Sequence, residues 1–176
     1  QATDYNRYNL TWNKLEKIGD ISVCQAVIYF SSPITIEELD NFITGIKANN
    51  RYAWFVIDTG NIELNPKIGS NWCWGFPRYM QTVTEAKAGV TDDSLLMVAQ
   101  EFQTEMQFLE KEGKYLGEKN LLEEIKAVNN YIDDNGIKVK GIVILARTQD
   151  ILKYRDSKLI SDIKVVDAEL DYQENL

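Results

Sequence analysis

The chain has 176 residues, enough for one compact domain that buries roughly 70% of the surface its unfolded form would expose. With 44% apolar and 26% charged residues it has the composition of a globular protein rather than a disordered or low-complexity one. Nineteen Lys and Arg against twenty-seven Asp and Glu give a net charge of −8 with no basic stripe, which argues against nucleic acid as a partner, and the absence of histidine removes the commonest general base, metal ligand and nucleophile activator.

Residues 1–19 carry Tyr5, Tyr8, Trp12, Leu15 and Ile18 at spacings of three and four, which predicts a helix that docks one face on the domain or lies near a membrane surface. Ile21 to Phe30 is almost wholly apolar or small, the pattern of an interior strand covered on both faces. Pro33 ends that run, and Thr35 with Glu38 forms a capping box that starts a helix over 36–47, burying Leu39, Phe42, Ile43 and Ile46. Tyr52 to Asp58 predicts a second apolar strand; strand, helix and strand together suggest a βαβ unit, with antiparallel pairing as the alternative.

Gly60 to Gly89 shows no period and reads as a long aromatic loop. From Thr91, the apolar positions Leu95, Ala99, Phe102, Met106 and Leu109 mark one amphipathic helix. Beyond Gly113 and Gly117, Leu121, Ile125, Val128 and Ile132 mark another, both packing on one sheet face. Gly136 suits a left-handed helix end, Ile137 to Leu145 a third strand, Thr148 the cap of a short helix to about Tyr154, and Ile160 to Leu170 an edge strand. The predicted fold is α/β (or α+β), a four-strand sheet with helices packed on it in the order β-α-β-loop-α-α-β-α-β. Residues 1–19 form a docking or juxtamembrane segment, 20–170 one globular domain and 171–176 a frayed tail.

The motifs that would signal catalysis or cofactors are missing. No G-x-G-x-x-G, Walker or G-x-S-x-G pattern follows a strand, and no cofactor, metal ligand set or catalytic residue is expected. Glu37 with Glu38 and Glu101 with Glu105 fall on helix first turns or polar sides, where solvation and the helix dipole account for them. Asp133-Asp134-Asn135-Gly136 lacks the alternating ligands and terminal Glu of a calcium loop and reads as a helix end. Cys24 and Cys73 form no C-x-x-C pair, and two free thiols are expected rather than a disulfide. An enzyme reading through Cys73 would need a thiolate, yet no His or nearby cation is at hand to lower its pKa. The most unusual stretch is Trp72-Cys73-Trp74-Gly75-Phe76-Pro77. Its aromatic side chains, with Tyr79, are either the rim of a ligand or partner surface (Trp72, Trp74, Phe76, Tyr79) or a loop folded over its own core.

Two stretches taken together resemble a known family. One is Trp54-Phe55-Val56-Ile57 followed by Gly75-Phe76-Pro77; the other runs from Asn130 through Asn135-Gly136-Ile137-Lys138 and Gly141-Ile142-Val143-Ile144 to Thr148, Ile151-Leu152 and Ile163-Lys164-Val165-Val166-Asp167. They are similar to the C-terminal, extracytoplasmic domain of transmembrane anti-sigma factors of Gram-positive bacteria, over most of Gly19 to Leu170. One departure is that Leu145-Ala146-Arg147 follow the third strand, where such families often place another Gly.

The resemblance implies a regulatory domain and not an enzyme. It would bind a protein partner or cell-envelope ligand, be membrane-anchored only through a preceding helix outside this chain, and act on a sigma factor through a cytoplasmic part also outside it. The start at Gln1 without Met fits that expectation of a trimmed or mature segment, and no run of about 18 apolar residues is present to span a membrane. A secreted or lipoprotein ligand-binding module without a signalling role is the alternative.

Overall fold

The computed structural model describes residues 12–17, 22–46, 50–60, 74–78, 94–113 and 119–170. These form a mixed α/β domain with five helices and one five-stranded, wholly antiparallel sheet among the described residues. Residues 12–17 are helical (α1), followed by β1 (Ser22–Thr35), α2 (Ile36–Gly45), β2 (Asn50–Ile57) and β3 (Gly75–Phe76). Then come α3 (Leu95–Glu112), α4 (Lys119–Asn135), β4 (Lys138–Arg147), α5 (Thr148–Leu152) and β5 (Ile160–Leu170).

The strands lie in the order β3-β2-β4-β1-β5. Because β4 is antiparallel to both β1 and β2, those two run parallel to each other but never touch: β4 lies between them. The βαβ unit suggested by the sequence is therefore split, its two strands separated by one that arrives much later in the chain. The expected four strands become five, because two residues inside the supposed aromatic loop, Gly75 and Phe76, pair with Val56 and Phe55 at the outer edge of β2. A two-residue strand has too few positions to show a period of two, and only its partner makes it a strand.

The expectation that β1 is covered on both faces is also corrected. Cys24, Ala26, Ile28 and Phe30 are buried, whereas Val23, Val27 and Tyr29 are half-buried and Gln25 is exposed. The same alternation runs through β4, where Ile142, Ile144 and Ala146 are buried while Val143 is half-buried and Leu145 is 41% exposed. Cross-strand register aligns the two sets: Ala26 faces Ile144 and Ile28 faces Ile142 on the core side, and Val27 faces Val143 on the other. Apolar side chains on both faces of a half-covered strand look, in one dimension, like a fully buried strand. β1 also runs on past Pro33 to Thr35, with its register on β4 shifting between Tyr29 and Ile34, so the proline sits at an irregularity rather than at the strand end.

The described helices bury apolar residues in one core, on the sheet face that carries Ala26 and Ile28. Leu39 and Phe42 of α2, Val98, Phe102 and Met106 of α3, Ile125, Val128 and Ile132 of α4, and Ile151 of α5 join Ile28, Ile142 and Ile144 of the sheet. Ile43 and Ile46 are only partly buried at its margin. Phe42 meets Phe30 edge-on at 5.2 Å, an arrangement that ring quadrupoles favour. Trp12 and Leu15 of α1 are fully buried in this core, and Arg155 reaches Glu16 and Asn13 from the far side; Tyr5, Tyr8 and Ile18 lie outside the described residues.

Local signals set the element ends. Thr35 and Glu38 make the predicted reciprocal cap, Glu38 N–H to the Thr35 hydroxyl at 3.2 Å and Thr35 N–H to the Glu38 carboxylate at 2.8 Å. Ser94 caps α3, its hydroxyl accepting from the Met97 amide at 3.3 Å. Thr148 does not cap α5. Arg147 is the N-cap and makes no side-chain cap bond, while the buried Thr148 hydroxyl sits 3.5 Å from the thiol of the free, buried Cys24. β5 is the sheet edge, as expected from Lys164 in its middle, and it is guarded in two further ways: Asp162 accepts the amide of Ile163 at 2.8 Å, and the register on β1 slips by one residue near Val166.

Truncating the centre of this core tests the burial argument. Ile142→Ala, fully buried on the middle strand, should lower stability by about 3–4 kcal/mol and the melting temperature by roughly 10 °C. Val166→Ala, 53% exposed on β5, should change stability by less than about 0.5 kcal/mol, both read by urea and thermal unfolding.

Candidate functional site

The aromatic stretch enters the sheet through close backbone contact. The Ile57 amide donates to the Trp74 carbonyl at 2.9 Å, and Gly75 and Phe76 continue the pairing on Val56 and Phe55. Gly75 is required here for space: a Cβ on it would lie 2.0 Å from the Phe55 carbonyl oxygen and 2.5 Å from the Trp54 indole nitrogen. Phe76 is fully buried, its ring 5.5 Å from Phe55 and 5.6 Å from Phe102. It ties β3 to α3 as a core residue. Trp74 is only half-buried, packed against the core margin, and its buried indole N–H has no hydrogen-bond partner among the described residues. Trp72, Tyr79 and Cys73 lie outside the described residues. Of the four aromatic residues singled out in the sequence, the structure thus places Phe76 in the core and Trp74 at its margin.

A second cluster stands beside this one, at the end of β2. The Asp58 amide donates to the Lys138 carbonyl at 2.8 Å, joining the ends of β2 and β4. One carboxylate oxygen of Asp58 accepts the Gly60 amide at 3.1 Å, and the other accepts the Tyr131 hydroxyl at 2.7 Å. Gly60 turns the chain with φ +63°, a value only glycine adopts without strain, and the Tyr131 ring packs where a Cβ would be, 2.8 Å from that point. The hydroxyl's bond to Asp58 raises the Tyr131 pKa above 10.0, with burial and the charge of the carboxylate adding to the same direction. Nothing in the linear sequence marks this pair, because 73 positions separate the two residues.

Several other polar residues singled out in the sequence take structural places. Glu37 and Glu38 sit in the first turn of α2. Asp133-Asp134-Asn135-Gly136 ends α4: the Gly136 amide returns to Ile132 O at 2.7 Å, Asn135 Nδ2 donates to Tyr131 O at 2.9 Å, and Asp133 accepts from Gln103 of α3 at 3.3 Å. Buried Asn129 donates to Met106 O at 3.1 Å and to the Glu110 carboxylate at 2.7 Å, locking α3 against α4. Among the described residues no three His, Cys, Asp or Glu side chains converge as metal ligands would.

Two outcomes follow from this geometry. Gly75→Ala should unfold at a markedly lower temperature, because the new methyl meets backbone, whereas Gly45→Ala, with nothing within 4 Å on a helix, should be neutral or stabilising by up to about 1 kcal/mol. A raised tyrosine pKa favours the neutral form in the folded state. Its contribution is therefore complete below the ordinary tyrosine range and disappears as pH rises through the raised value. Denaturation of the parent chain between about pH 8 and pH 11 should show a steeper alkaline loss of stability than Tyr131→Phe.

No curated protein and no solved structure matches the chain. A family model does, over residues 15–167, a span that takes in every strand and helix from the core end of α1 to β5. On that coverage, the chain belongs to the sigma factor regulator C-terminal family.

Proposed function

We propose that this domain is the extracytoplasmic regulatory part of a membrane-anchored anti-sigma factor, and that it works by binding a partner protein or cell-envelope ligand. The observation that carries this reading is the family match over residues 15–167. In it, a preceding membrane helix would link the domain to a cytoplasmic portion that holds the sigma factor, and a binding event on the domain would bias that portion. None of the described helices is long and apolar enough to cross a membrane.

The contact surface proposed is the aromatic stretch Trp72, Trp74, Phe76 and Tyr79. Trp74 supports it best: its half-buried indole leaves apolar aromatic area at the core margin, the kind of area enriched at recognition sites. Phe76 would serve it from beneath by holding β3 on Phe55 and Phe102. The net charge of −8 fits a protein or neutral envelope component better than a polyanion.

The test is to express the full native reading frame with an affinity tag in its own bacterium, solubilise the membrane and identify co-purifying proteins by mass spectrometry. A sigma factor should be recovered with the full frame and not with the 176-residue domain alone. Recovery of no sigma factor, from a frame without a cytoplasmic segment, would leave a secreted or lipoprotein binding module as the better account.

A further inference from the structure

We propose that Asp58 and Tyr131 form a latch that couples β3, and with it Trp74, to the last turn of α4. The inference rests on the reading of Trp74 as part of the contact surface, and it names the element through which that surface communicates with the rest of the fold.

Within four residues of the chain leaving β2, Ile57 to Gly60, three hold other parts of the molecule. Ile57 holds the Trp74 carbonyl at 2.9 Å, Asp58 holds Lys138 at the start of β4 through its amide and Tyr131 through its carboxylate, and Gly60 lies under the Tyr131 ring. Tyr131 in turn belongs to the α4 end that Asn135 and Gly136 close, since Asn135 Nδ2 bonds the Tyr131 carbonyl and Gly136 bonds Ile132. A displacement of Trp74 therefore pulls on Ile57, one peptide from Asp58, and Asp58 transmits it to α4 by a single charge-assisted hydrogen bond of 2.7 Å.

The coupling is local and removable. Tyr131 is half-buried rather than part of the central core, so its hydroxyl can be deleted without opening a cavity. A side chain at position 60 would press on the Tyr131 ring, 2.8 Å from where its Cβ would lie. Asp58 also keeps its second oxygen on the Gly60 amide at 3.1 Å when Tyr131 is lost, which leaves the turn itself formed.

The experiment is residue-resolved amide hydrogen exchange by NMR on the 176-residue chain, comparing it with Tyr131→Phe and Asp58→Asn. Loss of a hydrogen bond to a charged group corresponds to about tenfold faster opening or more. Tyr131→Phe should speed exchange by about that factor at Ile57, the amide that holds Trp74, and at Gly136, on opposite sides of the latch. The β1 and β5 amides should keep their parent rates. Asp58→Asn keeps its oxygen on the Gly60 amide and presents Nδ2 as a donor to the Tyr131 oxygen, a neutral hydrogen bond, and should keep most of the protection at Gly136. Unchanged rates at Ile57 and Gly136, or an increase spread evenly over the whole sheet, would overturn the latch. Exchange is read without any ligand, so a failure of the contact-surface reading leaves this outcome unaffected; that reading fails separately if Trp74→Ala in the full frame leaves every co-purifying protein in place.

Discussion

Everything in this domain hangs on the ladder that β4 makes with both β1 and β2. Its core-side residues, Ile142 and Ile144, lie opposite Ile28 and Ala26 on one flank and Phe55 and Tyr52 on the other. That three-strand row is the floor on which every helix lays its apolar stripe. If the register slipped by one residue, Val143 and Leu145 would turn inward and the isoleucines outward, and the helices would have no surface to cover. Burial of one face thus selects a single register for the strands, and that register in turn sets where β2 ends and what meets its last residues.

The end of β2 is where structure and proposed function converge. β2 ends against β4 through Asp58 and Lys138, against β3 through Ile57 and Trp74, and against α4 through Tyr131. The family membership supplies the regulatory context, and the structure supplies a part of the surface that is neither core nor fully solvated. Trp74 has the buried, directionally unsatisfied character that a stable core disfavours, since an unpaired buried donor costs about 1–3 kcal/mol. Phe76, by contrast, spends its whole ring on packing, so one aromatic stretch divides into an anchor and a margin within three residues.

What the sequence made legible followed from how local each signal is. The Thr35 and Glu38 cap, the stripes of α3 and α4, the Gly136 helix end and the charged edge strand are all written within one or two turns of chain, and each stands in the structure. The features that escaped depend on partners remote in sequence. β3 is a strand only because Phe55 and Val56 face it. Thr148 looked like a cap until Cys24, 124 positions away, offered its hydroxyl an alternative. The one-sided covering of β1 could not be read because valines and a tyrosine occupy its open face as readily as isoleucines occupy its closed one. Within the aromatic stretch the residue types were visible, but the division between Phe76 inside and Trp74 at the margin was set by the obligatory glycine between them.

The position of β4 also governs the order in which this protein can be made. β1 and β2 leave the ribosome first, yet neither neighbours the other, and the strand that joins them follows only after α3 and α4. Until Arg147 has emerged, the amino-terminal half carries two apolar strands with unsatisfied inner edges. The closing step must also bring together segments far apart in sequence, the slow kind of contact in folding. The helices α3 and α4, locked by Asn129 and Glu110, are complete before β4 arrives and offer the waiting strands a native surface against which to collapse.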